Sequence, residues 1–331
     1  MKKVIIVGGG ISGLVTSYVF NQFYDIETTI FEPNSLGGEF SSGGLKYLHR
    51  NEMTRSMLGE LGLAYSNFTV KGGIHLHGKV RDYRKYMQKV GRKAFERIQH
   101  DHYVKTRKMA PSEFSTKCMN DPFSGNTKKG MRCDLGALIR ELGKRANVEN
   151  SAIATFSLDV GIAITTNVST FDFDYLILTI PLWIIKKMGP FEHFPDSTAM
   201  ALHLVNVKPI GNPYVRWDYV YTPYTPGNSI HRLSYVDGFY SCEVSGELDE
   251  SGVYSDLNFL FPDGYEILNW KRDLKGHLLP LSEPPVWPEN VAPLGRFASW
   301  NPRATVDVVM EQANDLAIRW GWKKKGVGDG K

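Results

Sequence analysis

Residues 4–32 read VIIVGGGISGLVTSYVFNQFYDIETTIFE and constrain this 331-residue chain more than any other stretch. Residues 4–7 are a continuous apolar run, the pattern of a parallel strand buried on both faces. Gly8, Gly10 and Gly13 then fit G-x-G-x-x-G, residues 14–23 have helical character, and residues 26–31 are β-branched and apolar. That second strand ends on Glu32, nineteen residues after Gly13. Strand, glycine turn, helix, strand and acid together predict a βαβ unit that cradles a dinucleotide. Gly8 permits the tight turn, Gly10 lets the backbone approach a pyrophosphate, and Gly13 allows close helix–strand packing. Ile11 and Ser12 open the helix, whose N-terminus offers N–H donors and the positive end of its dipole to phosphate. Glu32 is expected to take the adenosine ribose hydroxyls.

Further along, residues 54–63 read as a short helix, 71–83 as a hairpin and 135–146 as an amphipathic helix. Residues 153–165 and 171–180 read as strands. A β-rich middle is expected over 200–207, 214–222, 229–235, 240–244 and 257–261. A proline-rich loop follows at 280–293, and 306–320 reads as a closing helix. The fold class expected is α/β, a Rossmann-like domain with an interleaved α+β substrate domain containing an antiparallel sheet. Residues 1–70, 130–190 and 290–322 are assigned to the first, 71–129 and 191–289 to the second, and 323–331 to a basic flexible tail.

Three well-separated cysteines, Cys118, Cys133 and Cys242, form no CxxC and no disulfide framework. No metal site is expected. No apolar run is long enough to span a bilayer, so a cytoplasmic protein is expected, in the host cytoplasm if a virus encodes it.

Net charge is only +4, but its distribution is uneven. Residues 79–132 carry fifteen Lys/Arg and five Asp/Glu, a local net of +10 that leaves −6 on the rest. Aromatics are spaced among these cations, the footprint of polyanion binding. Arg84, Lys85, Lys89, Arg92 and Lys93 are its candidate contacts; a solvated helix face explains the same run. Trp217, Tyr219, Tyr221, Tyr224, Tyr235 and Tyr240 fit sheet packing or a wall for a planar substrate.

After Glu32-Pro33 comes the pair Gly37-Gly38, which resembles the flavoprotein pattern in which a second glycine pair passes the FAD. From here the chain resembles the FAD-dependent amine oxidase, protoporphyrinogen oxidase and UDP-galactopyranose mutase group. Residues 44–49 (GLKYLH) are similar to the stretch bringing a histidine, His49, toward the flavin, without the family's preceding glycine. Residues 175–181 (YLILTIP) match the strand ending in Thr179-x-Pro181. His231-Arg232 resembles a strand of the mutase-like branch. Gly295, Arg296 and Trp300, followed by Val306, Asp307 and a helix, resemble the C-terminal flavin motif. Glu39 departs from the family, which often has Arg there, and the chain is short for it.

The resemblance implies an FAD enzyme. No second strand–GxGxxG–helix unit is present, so no NAD(P)H domain is expected. His49, His231, Arg232 and Lys208 are the candidate catalytic groups; each histidine fits a structural role as well. Three functions are compatible. One is an oxidoreductase cleaving a C–N bond of an amine on an anionic substrate, with a hypermodified thymine in phage DNA its most concrete form. The second is a redox-neutral mutase-like enzyme on a nucleotide sugar. The third is a nucleic-acid-binding protein on a flavoprotein scaffold. The partners expected are therefore an anionic substrate, DNA or a nucleotide derivative, and no membrane.

Overall fold

The structure is a computed structural model and describes residues 2–38, 47–107, 122–123, 129–189, 199–211, 213–214, 216–278, 285–301 and 304–325. Five parallel strands form the first sheet, in the spatial order β18 (Val291–Pro293), β12 (Tyr175–Leu178), β1 (Lys2–Val7), β2 (Ile26–Phe31) and β8 (Asn147–Glu149). Alternation along β1 shows why the sequence run is unbroken. Val4 and Ile6 face one core and Ile5 and Val7 the other, so both faces are covered. The first core is roofed by α1 (Ile11–Phe23), α5 (Leu135–Lys144), α8 (Val306–Arg319) and α2 (Glu52–Glu60), through Leu14, Phe20, Leu138, Val309 and Met57. The second lies under α6 (Leu182–Met188) and a three-stranded antiparallel sheet of β9 (Ile153–Ser157), β10 (Ile162–Thr165) and β11 (Thr170–Asp172).

A seven-stranded sheet makes the second layer system. Its order is β17 (Tyr265–Leu278), β13 (Ala199–Pro209), β16 (Phe239–Ser245), β15 (Ile230–Val236), β14 (Tyr219–Tyr221), β5 (Gly72–Leu76) and β6 (Lys79–Asp82). All its pairs are antiparallel except β14 with β5. Strand periodicity divides it cleanly. Val205, Val207, Val220, Leu233, Cys242 and Val244 face α7 (Glu250–Leu260) and form an apolar core. The opposite face carries Tyr219, Tyr221, Arg232, Glu243 and Asn206, and α3 (Tyr83–Val90) and α4 (Arg92–Arg107) pack over part of it through Tyr221. A small sheet of β3 (Leu48–His49), β7 (Lys129–Cys133) and β4 (Tyr65–Thr69) joins the two systems. Arg132 of β7 donates to Asp218 at 2.6 Å, and Asp218 also accepts from the Lys71 amide at 2.7 Å.

This is the expected α/β architecture, with corrections in detail. Residues 257–260 belong to helix α7 and Phe261 is its C-cap, so no strand forms there. Asp249 caps it, and Val253, Leu257 and Leu260 recur at helical spacing toward the sheet. Residues 153–165 and 171–180 each turn back or break, giving β9 with β10 and β11 with β12. Within 280–293 lies the buried edge strand β18. Strands β4, β7, β8 and β17 were not expected. The stretch 39–46 and much of 108–128, Cys118 among them, lie outside the described residues, as do Glu39 and the tail glycines from 326.

Candidate active site

Because the first sheet is parallel, the C-terminal ends of its strands share one rim. Gly8, Glu32, Thr179 and Leu294–Gly295 follow β1, β2, β12 and β18 there, although nearly the whole chain separates the first from the last. Such rims are where open α/β sheets bind ligands.

The glycines of the turn differ in what they are for. Gly8 has φ +108°, and a Cβ there would lie 2.7 Å from Thr179 Oγ1. Thr179 donates that hydroxyl to the carbonyls of Val7 and Gly8, both at 2.9 Å, so it braces the turn from within. A Cβ on Gly13 would sit 2.0 Å from the Gly8 carbonyl. Gly10 is different: a Cβ there meets nothing within 4 Å. The protein itself needs Gly8 and Gly13; only a ligand would need Gly10. Gly10 also caps α1 without any side-chain hydrogen bond, and the first turn, Ile11 onward, contains no acid. Its orphan amides therefore keep their capacity for an anion.

The second glycine pair docks on the first. Gly37, at φ +97°, bridges to Gly10 and donates its amide to Gly9 at 2.9 Å, and Gly38 follows at φ +53°. Glu32 accepts from the Gly9 amide at 2.8 Å and the Asn34 amide at 2.9 Å, with Pro33 exposed beside it. The Glu32 carboxylate thus clasps the turn as well as lining the rim. Gly9 is consequently obligatory too: a Cβ there would meet Leu36 Cδ2 at 2.6 Å and Glu32 Cβ at 2.7 Å. Gly295, φ +85°, lies on the first turn of α1, where its Cβ would strike Ser12 Oγ at 2.3 Å. Pro181 precedes α6, Trp300 adopts φ +52° and meets Trp183 edge-on at 6.1 Å, and Arg296 lies over Phe297 at 5.8 Å. Open space, free amides and a ribose-side carboxylate fit the adenosine diphosphate part of FAD.

At the start of α8, Val306 enters the helix and Asp307 occupies its first turn. Asp307 pairs with His49 Nδ1 at 3.3 Å and accepts from Thr305 at 2.6 Å. Burial pushes the Asp307 carboxyl up, but the hydrogen bonds from His49 and Thr305 outweigh it and hold its pKa below the ordinary value. Tyr47 stacks near His49, with ring centroids 5.7 Å apart. Burial, and then the neighbouring Tyr219, push the Tyr47 phenol up to about 12 against the pull of Arg232. Tyr47 therefore lies within electrostatic reach of Asp307 as well as of Tyr219 and Arg232 on the polar face of the large sheet.

Arg232 is held by a residue that sequence reasoning missed. Glu243, on the neighbouring strand, accepts from Arg232 Nε at 2.9 Å and Nη2 at 2.5 Å, while its other oxygen lies 3.4 Å from His231 Nε2. Consecutive strand residues ordinarily point to opposite faces. Here the register slips between Ile230 and Arg232, and the bulge brings both His231 and Arg232 to Glu243. Burial raises the Glu243 carboxyl, yet Arg232 and His231 more than offset this and hold it well below the carboxylate range. The Arg232 side chain is 38% exposed, that of His231 only 4%. His231 packs on His102 of α4, behind Arg232. Lys208, near the end of β13, is exposed opposite Glu266, and no described contact joins it to His49 or Arg232. Lys85, Lys89, Arg92 and Lys93 are exposed on α3 and α4, and Arg84 is half-buried. Among the described residues, no helix is long and apolar enough to cross a membrane, and no group of three or more His, Cys, Asp or Glu could hold a metal.

No family model and no curated protein sequence matches the chain. Solved structures do. A reduced UDP-galactopyranose mutase superposes with a TM-score of 0.71 at 12% identity, covering 97% of this chain and 94% of its own. An oxidoreductase from Methanosarcina mazei gives 0.65 at 13%, covering 96% and 100%. A CLA-producing fatty acid isomerase from P. acnes gives 0.65 at 13%, covering 96% and 98%. The chain shares the fold of these three proteins.

Proposed function

We propose that the protein is an FAD-dependent oxidoreductase that oxidises a C–N bond of an amine-bearing, anionic substrate. The observation that carries the reading is Arg232, pinned through Nε and Nη2 by buried Glu243 and partly exposed beside Tyr47, Tyr219 and Tyr221. A guanidinium fixed on one edge offers its other edge to a carboxylate or phosphate with little loss of rotamer freedom. FAD, when bound at the glycine rim, supplies the hydride acceptor.

The chain's own groups do the rest. Arg232 fixes the anionic end, so the C–H beside the nitrogen is held in one orientation. Tyr47 keeps its proton at working pH and serves as a hydrogen-bond donor. With Nδ1 directed at Asp307, His49 presents Nε2 as an acceptor for the amine proton. Anaerobic titration of the FAD-loaded protein with anionic and neutral amines tests this. Flavin bleaching by the anionic amines, with a KM raised about tenfold or more in Arg232→Lys and a smaller change in kcat, is the expected result. Bleaching indifferent to substrate charge and to Arg232 contradicts it.

A second reading, a redox-neutral enzyme on a nucleotide sugar, draws support from the superposition on the mutase. Arg232 would then hold a diphosphate. Tight UDP-sugar binding without flavin reduction by any amine would favour it.

A further inference from the structure

We infer that the outer face of α3 and α4 is a docking surface for nucleic acid, so that the substrate unit is delivered to Arg232 as part of a polynucleotide. The inference rests on the reading of Arg232 as the substrate anchor and specifies what carries the anion.

The two helices are amphipathic in a particular way. Tyr83 and Met87 of α3, and Phe95 and Ile98 of α4, are buried in one apolar cluster over β5 and β14. Lys85 and Lys89, one helical turn apart, and Arg92, Lys93 and Arg97 are all exposed away from that cluster. Of the three acids in residues 82–107, Asp82 is engaged in capping α3 through the Lys85 amide at 2.8 Å. Asp101 accepts from Tyr224 at 2.9 Å, which leaves Glu96. The face is therefore strongly positive, and the rest of the chain is net negative. Two of the arginines already lie on aromatic rings, Arg81 over Tyr86 at 5.5 Å and Arg92 over Phe123 at 4.7 Å, which holds their planes ready for phosphate or base.

Tyr83, Met87, Phe95 and Ile98 are committed to the protein core, and the large apolar side chains left exposed among the described residues of the two helices are Val90 and Val104, too few for the continuous apolar face that an interfacial membrane helix requires. That favours a hydrated polyanion. The position is as telling as the charge. The inward side of α4 places His102 against Tyr221 and His231, the residue preceding Arg232. A strand lying along the outer face runs about one helix diameter, some 10 Å, from Arg232.

The test uses the full FAD-loaded chain and a mixed-sequence duplex or single-stranded oligonucleotide, read by fluorescence anisotropy. Four of these five exposed cations contacting phosphate on the duplex give a slope of about −3.6 in log K against log salt, or roughly 150-fold between about 50 and 200 mM. Lys85→Glu, Lys89→Glu and Lys93→Glu together are expected to weaken binding at least about tenfold and flatten the slope. Lys187→Glu on α6 should change neither. The flavin spectrum and bleaching by a free anionic amine should persist in the triple variant, which separates this inference from the oxidoreductase reading. Absence of oligonucleotide binding by the wild type, equal loss in Lys187→Glu, or a preference for phosphatidylserine vesicles over oligonucleotide would overturn it.

Discussion

Glu243 illustrates how one side chain can organise a site from behind. Its carboxylate is buried, holds Arg232 and draws in His231. Removing its charge leaves a guanidinium half-desolvated, so Glu243→Gln should cost about 2–3 kcal/mol at neutral pH, measured by urea unfolding. The folded pKa is depressed, so the contribution is present above the unfolded value of about 4.3 and fades as pH falls below it. The gap between wild type and Glu243→Gln should therefore narrow below about pH 4.3. His231 and Arg232 were visible in the sequence as a pair. Their partner was not, because only the slipped register of β15 turns both toward one residue of the next strand. Likewise the sequence motif assigns Gly9 no role, whereas Glu32 and Leu36 occupy the space its Cβ would need.

At the level of elements, the segments legible in the sequence are those whose pattern is local. The β1–α1–β2 unit follows from an unbroken apolar run, a glycine turn and an acid. Strand β17 was missed because it is an edge strand whose Lys271, Arg272, Asp273 and Lys275 interrupt the apolar rhythm, as edges protected against aggregation do. Helix α7 was misread because a five-residue window, LNFLF, satisfies strand and helix alike. That helix carries a second buried carboxylate, Asp256, which accepts the amides of Gly227, Ser229 and Ile230 at 2.6, 2.8 and 2.7 Å. It thereby fixes the turn that launches β15 and its bulge. Asp256→Asn, which cannot accept all three on charged oxygens, should destabilise by about 2 kcal/mol. Faster amide exchange over 227–232 would accompany it; unchanged protection there would contradict the role.

For the whole molecule, the parallel sheet gathers distant motifs onto one rim, and the small sheet of β3, β4 and β7 locks that rim to the polar face of the larger one. The arrangement was readable from the order of motifs, whereas the substrate side was not, since it depends on strand register and on how a basic segment, legible as partly helical, packs on the sheet. FAD binding to the folded state alone should raise stability by about 2.7 kcal/mol at a hundredfold excess over Kd. Thermal unfolding with and without FAD reads that shift.

The central claim is that the rim holds FAD, and Gly10 tests it most directly, because no protein atom lies where its Cβ would go. Gly10→Ala should fold with the apo-protein's Tm unchanged while FAD affinity falls about 100-fold or more in fluorescence-quenching titrations, from a loss near 3 kcal/mol. A Gly10→Ala protein that binds FAD as tightly as the wild type, or a wild type that binds none, would contradict the account.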